Sequence, residues 1–189
     1  SAKGLERGTV MGEDLRIIKT KRSIAAAFLE LRSKKELERI TVKELCERAA
    51  VNKSTFYTHY QDLYDLADQL ETQVAADIVA GMRHPETVFS DPGAFNRELV
   101  REYVAREELI HLLFSGSRAS LLPGKIEQSL KELIFSLRPD LKDNAAANVF
   151  FTIEIYGGFY AFEKCRSFGV DAVVEIMTVL NEKIAELLR

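Results

Sequence analysis

The run Lys53-Ser54-Thr55-Phe56-Tyr57-Thr58-His59-Tyr60 holds the side chains of this sequence best suited to touching another molecule. On a helix, residues four apart share a face, so Phe56 and Tyr60 make an apolar pair and Lys53, Ser54, Thr55, Tyr57, Thr58 and His59 are expected to look outward. Lys53 supplies charge for a phosphate, and the hydroxyls of Ser54, Thr55 and Thr58 donate and accept at base edges. Tyr57 and His59 are long enough to reach either. This is chemistry of recognition. The histidines His59, His84 and His111 have no metal-ligand spacing, and there is neither a nucleophile elbow nor a Gly-rich phosphate loop. The reading is therefore a protein that is not an enzyme and needs no cofactor or metal.

Such residues need rigid neighbours. In "ITVKELCERAA", Thr41 and Glu44 have the capping-box spacing, and Val42, Leu45, Cys46 and Ala49 fall along one side of a short helix. Ala50, Val51 and Asn52 form the boundary, with Asn52 the N-cap of a next helix over Lys53–Tyr60. Two short helices about three residues apart fit a helix-turn-helix, whose second helix enters the major groove while the first crosses the phosphate backbone. Leu45, Ala49, Val51 and Phe56 would fix the interhelical angle. Thr41 stands at the positive end of the first motif helix, where a phosphate oxygen also binds.

Upstream, "RIIKTKRSIAAAFLELRSKK" places Ile17, Ile24, Phe28 and Leu31 on one stripe of a helix of roughly 17 residues. Arg16, Lys19, Lys21 and Arg22 would crowd its N-terminal end, against the dipole preference, and either face phosphate or form a solvated face. Downstream, Asp62 is a cap for a long fourth helix with Leu63, Leu66, Leu70, Val74 and Ile78 on one stripe for about five turns. This helix would connect a head to a body.

Charge follows the same division. Arg16 to Tyr60 holds eleven Lys or Arg against five Glu, a net +6, whereas Gln61 to Arg189 holds thirteen basic against twenty-one acidic residues, a net −8. A basic head on an acidic body suits a polyanionic partner for the head alone. With 47% hydrophobic and 29% charged residues, and only 4 Pro and 10 Gly in 189, the composition is that of a globular, helix-rich chain. Cys46 and Cys165 lie far apart within apolar patterns and are read as reduced core residues. No leader pattern or long apolar run is seen, so the expected location is cytoplasmic. Residues 1–10 are set apart as a short basic arm or a non-native leader.

The body is broken near residues 83–93 by "RHPETVFSDPG" and then reads as helices over 94–114, 124–137, 140–167 and 171–188. Its aromatic surplus, with Phe95, Tyr103, Phe114, Phe151, Tyr156 and Phe159 at its centre, either lines an apolar ligand pocket or packs as core. Glu154, inside the most apolar stretch, either orients a ligand amine, pairs with an Arg or lies on an exposed stripe. The last segment carries Val173, Ile176, Met177, Leu180, Ile184 and Leu187 at helical spacing and needs a partner surface.

"ITVKELCERAAVNKSTFYTHYQDLYDLADQLE", Ile40 to Glu71, resembles the DNA-binding signature of the tetracycline-repressor (TetR/AcrR) family of bacterial transcription regulators, in its Thr-Val-x-x-Leu-Cys opening, Ala49, Val51, Ser54-Thr55-Phe56-Tyr57, His59-Tyr60 and Leu66. Together with the preceding helix the resemblance covers about residues 16–71. It implies an all-α homodimer with a three-helix head over 11–61 and a ligand-binding and dimerising body over 62–189. Thr41, Lys53, Ser54, Thr55, Tyr57, Thr58 and His59 are then the expected contacts to double-stranded DNA at a palindromic operator. The last two helices form the expected dimer bundle, with Phe150, Gly157, Gly158, Val173, Ile176, Met177, Leu180 and Ile184 at the interface. A small apolar or amphipathic effector in the body would release a repressor. Two positions depart from the family pattern: Ala50 stands where Gly is common, which suits a turn that avoids the left-handed conformation, and Leu63 stands where a phosphate-contacting Lys is common. The competing reading is a helical module that binds a ligand or protein without specific DNA recognition.

Overall fold

The computed structural model describes residues 2–186, and among these the regular structure is entirely helical: the fold is all-α. Ser1 of the expected arm and Leu187 of the C-terminal stripe lie outside the described residues. Ten α-helices run α1 (Ala2–Arg32), α2 (Val42–Ala49), α3 (Lys53–His59), α4 (Leu63–Gly81), α5 (Pro92–Val104), α6 (Glu107–Leu113), α7 (Leu122–Leu137), α8 (Ala145–Thr152), α9 (Gly158–Cys165) and α10 (Val170–Glu186). The chain divides into two compact units, one ending at Leu70 and the other beginning at Glu71, so the division falls inside α4.

In the first unit, α1 packs on α2 and α2 on α3. The first helix is longer than the expected 17 residues and begins at Ala2. Arg16, Lys19, Lys21 and Arg22 consequently lie in mid-helix, and the expected conflict with the helix dipole does not arise. Ile17, expected on the buried stripe, is exposed, and burial starts at Ile24 and continues through Phe28 and Leu31. Ser23 Oγ donates to the carbonyl of Ala49 at 2.8 Å, tying α1 to the end of α2.

In the second unit α5 lies along α10, and α9 also packs on α10. Gly93, buried near the start of α5, allows this approach, since a Cβ there would stand 2.6 Å from the Thr178 methyl. Pro92 opens α5, where its missing N–H is no loss, and the Asp91 carboxylate accepts from the Ala94 N–H at 2.8 Å. The expected helix over 94–114 is two helices, α5 and α6, separated at Ala105–Arg106. The expected helix over 140–167 is also interrupted: a π-turn, Ile153–Gly157, joins α8 to α9, and 3₁₀ turns at Pro139–Leu141 and Arg166–Phe168 flank them. Cys46 is buried, whereas Cys165 is only half-buried, and both are free thiols.

Candidate nucleic-acid interface and interior cavity

Each helix of the α2–α3 pair starts at a side-chain cap. Thr41 Oγ1 accepts from the Glu44 N–H at 3.2 Å, the first half of a capping box. The second half is not made, because the Glu44 carboxylate is held by Lys35 Nζ at 2.5 and 2.7 Å. Asn52 Oδ1 accepts from the Thr55 N–H and from Ser54 Oγ, both at 2.7 Å, and fixes the first turn of α3. Between the helices Ala50 has φ 55° and ψ 41°, the left-handed conformation that α2 uses for its C-terminal turn. The expectation of a turn without a left-handed residue is thus overturned. Ala50 carries a Cβ where Gly would be unstrained.

α3 and its C-cap residue Tyr60 sort their side chains into four pairs spaced four apart. Phe56 and Tyr60 are buried, with ring centroids 5.5 Å apart, and Lys21 Nζ lies 5.8 Å from the Tyr60 ring. Burial pushes the Tyr60 phenol pKa up. Lys53 with Tyr57, and Ser54 with Thr58, form the exposed face. Tyr57 is 56% exposed although its ring edge rests on Phe56 at 5.3 Å. Thr58 Oγ1 donates to the Ser54 carbonyl at 2.9 Å, which leaves its oxygen able to accept. Thr55 and His59 stand on the flank and are half-buried, so the outward set is narrower than the six residues expected. Thr41 is exposed at the N-terminus of α2. Along α1, Arg16, Lys19, Lys21 and Arg22 are all exposed. What this unit offers is a rigid polar face of four residues on a short helix, with cationic side chains on a second helix of the same unit.

Asp62 Oδ1 accepts from the Asp65 N–H at 2.8 Å and caps α4 as expected. Asp65 Oδ2 in turn accepts from the Gln61 N–H, which lowers the Asp65 pKa. Leu63 is buried and offers nothing to a phosphate.

The second unit contains a small cavity of about 40 Å³, lined by Asn96, Leu99, Val100 and Tyr103 of α5, Ile126 of α7, Glu154 and Ile155 of the π-turn, Gly158, Phe159 and Phe162 of α9, and Met177 of α10. Of the expected pocket residues it brings together Tyr103, Glu154 and Phe159. Phe95, Phe114, Phe151 and Tyr156 are not on its wall; Phe95, Phe114 and Phe151 are buried in packing, with Phe151 edge-on to Phe89 at 5.2 Å and to Phe135 at 5.9 Å. Tyr156 lies with its hydroxyl 2.9 Å from where a Cβ on Gly124 would stand. The cavity is well below the roughly 300–1,000 Å³ of a site for a drug-sized molecule. Glu154 is 5% exposed, and Asn181 Nδ2 donates to its Oε2 at 2.6 Å. Burial pushes its carboxyl pKa up to about 7, the Asn181 hydrogen bond opposing. Tyr103 donates to Glu163 Oε1 at 2.8 Å, and burial with that bond raises its phenol pKa.

Asn96 is the polar cavity residue that reading the sequence missed, and the apolar Leu99, Val100, Ile126 and Ile155 were not singled out either. The signal for Asn96 is present: Asn96, Leu99, Val100 and Tyr103 follow the i, i+3, i+4, i+7 spacing of a core stripe, and a polar residue in such a stripe marks something to be satisfied.

Of the residues expected at a dimer interface, Phe150, Val173 and Met177 are buried within their own unit, Phe150 against Phe89 at 5.3 Å. Gly158 faces the Met177 methyl, which would stand 3.3 Å from an added Cβ. Ile184 is half-buried. Gly157 is exposed with open space around it, and Ile176 and Leu180, one turn apart, are 62% and 57% exposed. Val149, Ile153 and Val179, not singled out beforehand, and Tyr160, one of the aromatic residues expected to line a pocket or pack as core, add exposed apolar surface on α8, the π-turn, α10 and α9.

Among the described residues no helix is long and apolar enough to cross a membrane. No family model matches the chain and no solved structure matches it. Over 84 residues the chain is 26% identical to the "Uncharacterized HTH-type transcriptional regulator YxbF" of Bacillus subtilis (strain 168). The aligned stretch is 44% of this chain and 21% of that protein, so the chain spans only a minor part of the curated relative it matches. The similarity is to a helix-turn-helix regulator at a general level.

Proposed function

We propose that this protein is a sequence-specific DNA-binding transcriptional regulator, and not an enzyme. It acts in the cytoplasm as a homodimeric repressor of the tetracycline-repressor (TetR/AcrR) type, with α3 in the major groove of a palindromic operator. The observation that carries this reading is the sorting of α3: Phe56 and Tyr60 are buried, so Lys53, Ser54, Tyr57 and Thr58 are displayed on a helix held by the Asn52 cap. Packing alone gives no reason to place an ammonium, two hydroxyls and a phenol on one short face. Similarity to a protein named as an HTH-type transcriptional regulator adds support from a separate source.

Exposed apolar side chains at Ile176, Val179 and Leu180 on α10, and at Val149, Ile153 and Tyr160 before it, support a dimer built on these elements. A dimer presents two copies of α3 to half-sites one helical turn, about 34–36 Å, or a multiple of it apart. A small apolar or amphipathic ligand in the second unit would release the operator by favouring a state in which that spacing is lost. The test is selection of bound fragments from sheared genomic DNA by the purified protein. A recovered palindrome supports the reading. Equal, salt-sensitive recovery of all fragments leaves only a basic surface meeting phosphate and overturns it.

A further inference from the structure

Three side-chain atoms among the described residues are buried without a hydrogen-bond partner, Asn96 Nδ2, Glu154 Oε1 and Thr178 Oγ1, and the first two belong to residues lining the 40 Å³ cavity. Asn96 and Glu154 are 4% and 5% exposed. A buried polar group left unpaired is costly, and two residues of this otherwise largely apolar wall carry one unmet donor and one unmet acceptor.

We propose that this cavity binds the hydroxyl of a small alcohol, which donates to Glu154 Oε1 and accepts from Asn96 Nδ2, and that such alcohols are the effector class of the regulator. The effector role rests on the regulatory reading above; the binding site does not.

The inference follows from what each kind of head group offers. An ammonium brings donors only and sets N–H against the Asn96 N–H. A carboxylate brings no proton for Glu154 Oε1 and takes a further charge into an apolar wall. A hydroxyl is the smallest organic group that both donates and accepts. It donates to the ionised Glu154 carboxylate and accepts from the protonated carboxyl, whose pKa burial pushes up to about 7. Tyr103 is not a competing donor, because its proton is given to Glu163. Leu99, Val100 and Phe159 offer the alkyl part an apolar wall. One water needs about 10–15 Å³, so the volume admits about three to four heavy atoms, the hydroxyl oxygen with two or three carbons.

Glu154 reaches the cavity because it lies in the π-turn Ile153–Gly157, where both it and Ile155 are buried. Such one-turn π segments in α-helices are frequent at functional sites.

The sequence contains 3 methionines, of which Met177 lines the cavity and Met82 is buried elsewhere, so ¹³C-methyl-methionine labelling gives a probe and a control. The experiment titrates the full chain with 1-propanol, propylammonium chloride and sodium propionate in parallel. Saturable movement of the Met177 signal is expected with 1-propanol alone, the Met82 signal staying fixed. Asn96→Leu and Glu154→Leu should each weaken it tenfold or more, while Glu154→Gln, which keeps an acceptor, should stay within a few-fold; an unmoved Met82 signal verifies folding. The proposal is overturned by an equal response to propylammonium, by undiminished propanol binding in Asn96→Leu, or by no response at all, which would leave the cavity to water. Operator affinity should fall at least tenfold at propanol saturation. Saturable binding with unchanged operator affinity overturns the effector role, whereas propanol binding by a protein that selects no DNA site refutes the regulatory reading instead.

Discussion

Arg118 grips Glu71 through two hydrogen bonds, Nε to Oε1 at 2.8 Å and Nη2 to Oε2 at 2.6 Å, and the Glu71 carboxylate is fully buried. A paired charge of this kind stabilises less than its geometry suggests, because desolvation offsets the attraction, but removing one partner strands the other. Arg118→Ala should therefore lower unfolding free energy by about 3–5 kcal/mol in urea titrations. The double variant Arg118→Met with Glu71→Gln should recover much of that loss. A single substitution costing under about 1 kcal/mol would mean that water already reaches the carboxylate.

Ala50 gives a change of the opposite sign. Its left-handed backbone costs a residue with a Cβ about 1–2 kcal/mol, and Gly gives back about 0.5–1 kcal/mol of that in unfolded-state entropy. Ala50→Gly should stabilise the chain by about 0.5–1 kcal/mol, and Ala50→Val should destabilise it. Thermal midpoints of the two variants against wild type decide the matter; a loss of stability in Ala50→Gly would contradict the assigned turn.

Glu154 predicts a pH dependence. With its carboxyl pKa raised from 4.5 to about 7, the folded chain keeps a proton there that the unfolded chain has released. Stability from this group is therefore full below pH 4.5 and is lost as pH rises to about 7. The shift corresponds to about 3 kcal/mol. Glu154→Gln should be close to neutral at pH 5 and more stable than wild type at pH 8, a difference read from paired denaturation curves. Parallel pH profiles for the two proteins would show that Glu154 titrates normally.

Ile176 and Leu180 present one apolar edge of α10 to solvent. If the proposed dimer forms here, replacing both by Ser should convert it to a monomer by light scattering, with little change in the unit's own folding, since neither is buried in it. It should also weaken binding to a palindromic site far more than to a single half-site. A dimeric mass in both proteins would place the contact elsewhere, and a monomeric wild type would contradict the proposed dimer.

The head was readable because its signals are local. The Thr41 and Asn52 caps, the Phe56 and Tyr60 pair and the Asp62 cap each depend on residues within four positions, and each lies where its spacing implied. The Ala50 conformation was missed because a left-handed turn is usually signalled by Gly, and Ala hides it. In the second unit the same reasoning found helices but not their breaks. The pause between α5 and α6 has no Gly or Pro, and the π-turn at Ile153–Gly157 has no side-chain code. Burial was the least legible: Val173 and Met177 share α10 and its helical spacing with exposed Ile176 and Leu180, and which side of a helix faces its own unit is decided by partners distant in sequence.

The most direct test is the ratio of affinity for the recovered operator to affinity for scrambled DNA of equal length at one salt concentration, measured for wild type and Tyr57→Ala. Wild type should discriminate by about 10³-fold or more. Tyr57→Ala should lose at least tenfold of that discrimination while its thermal midpoint stays within a few degrees, because Tyr57 is exposed on α3. A wild-type ratio near one, or a Tyr57→Ala protein that discriminates as well as wild type, would contradict the assignment of α3 as the reading helix.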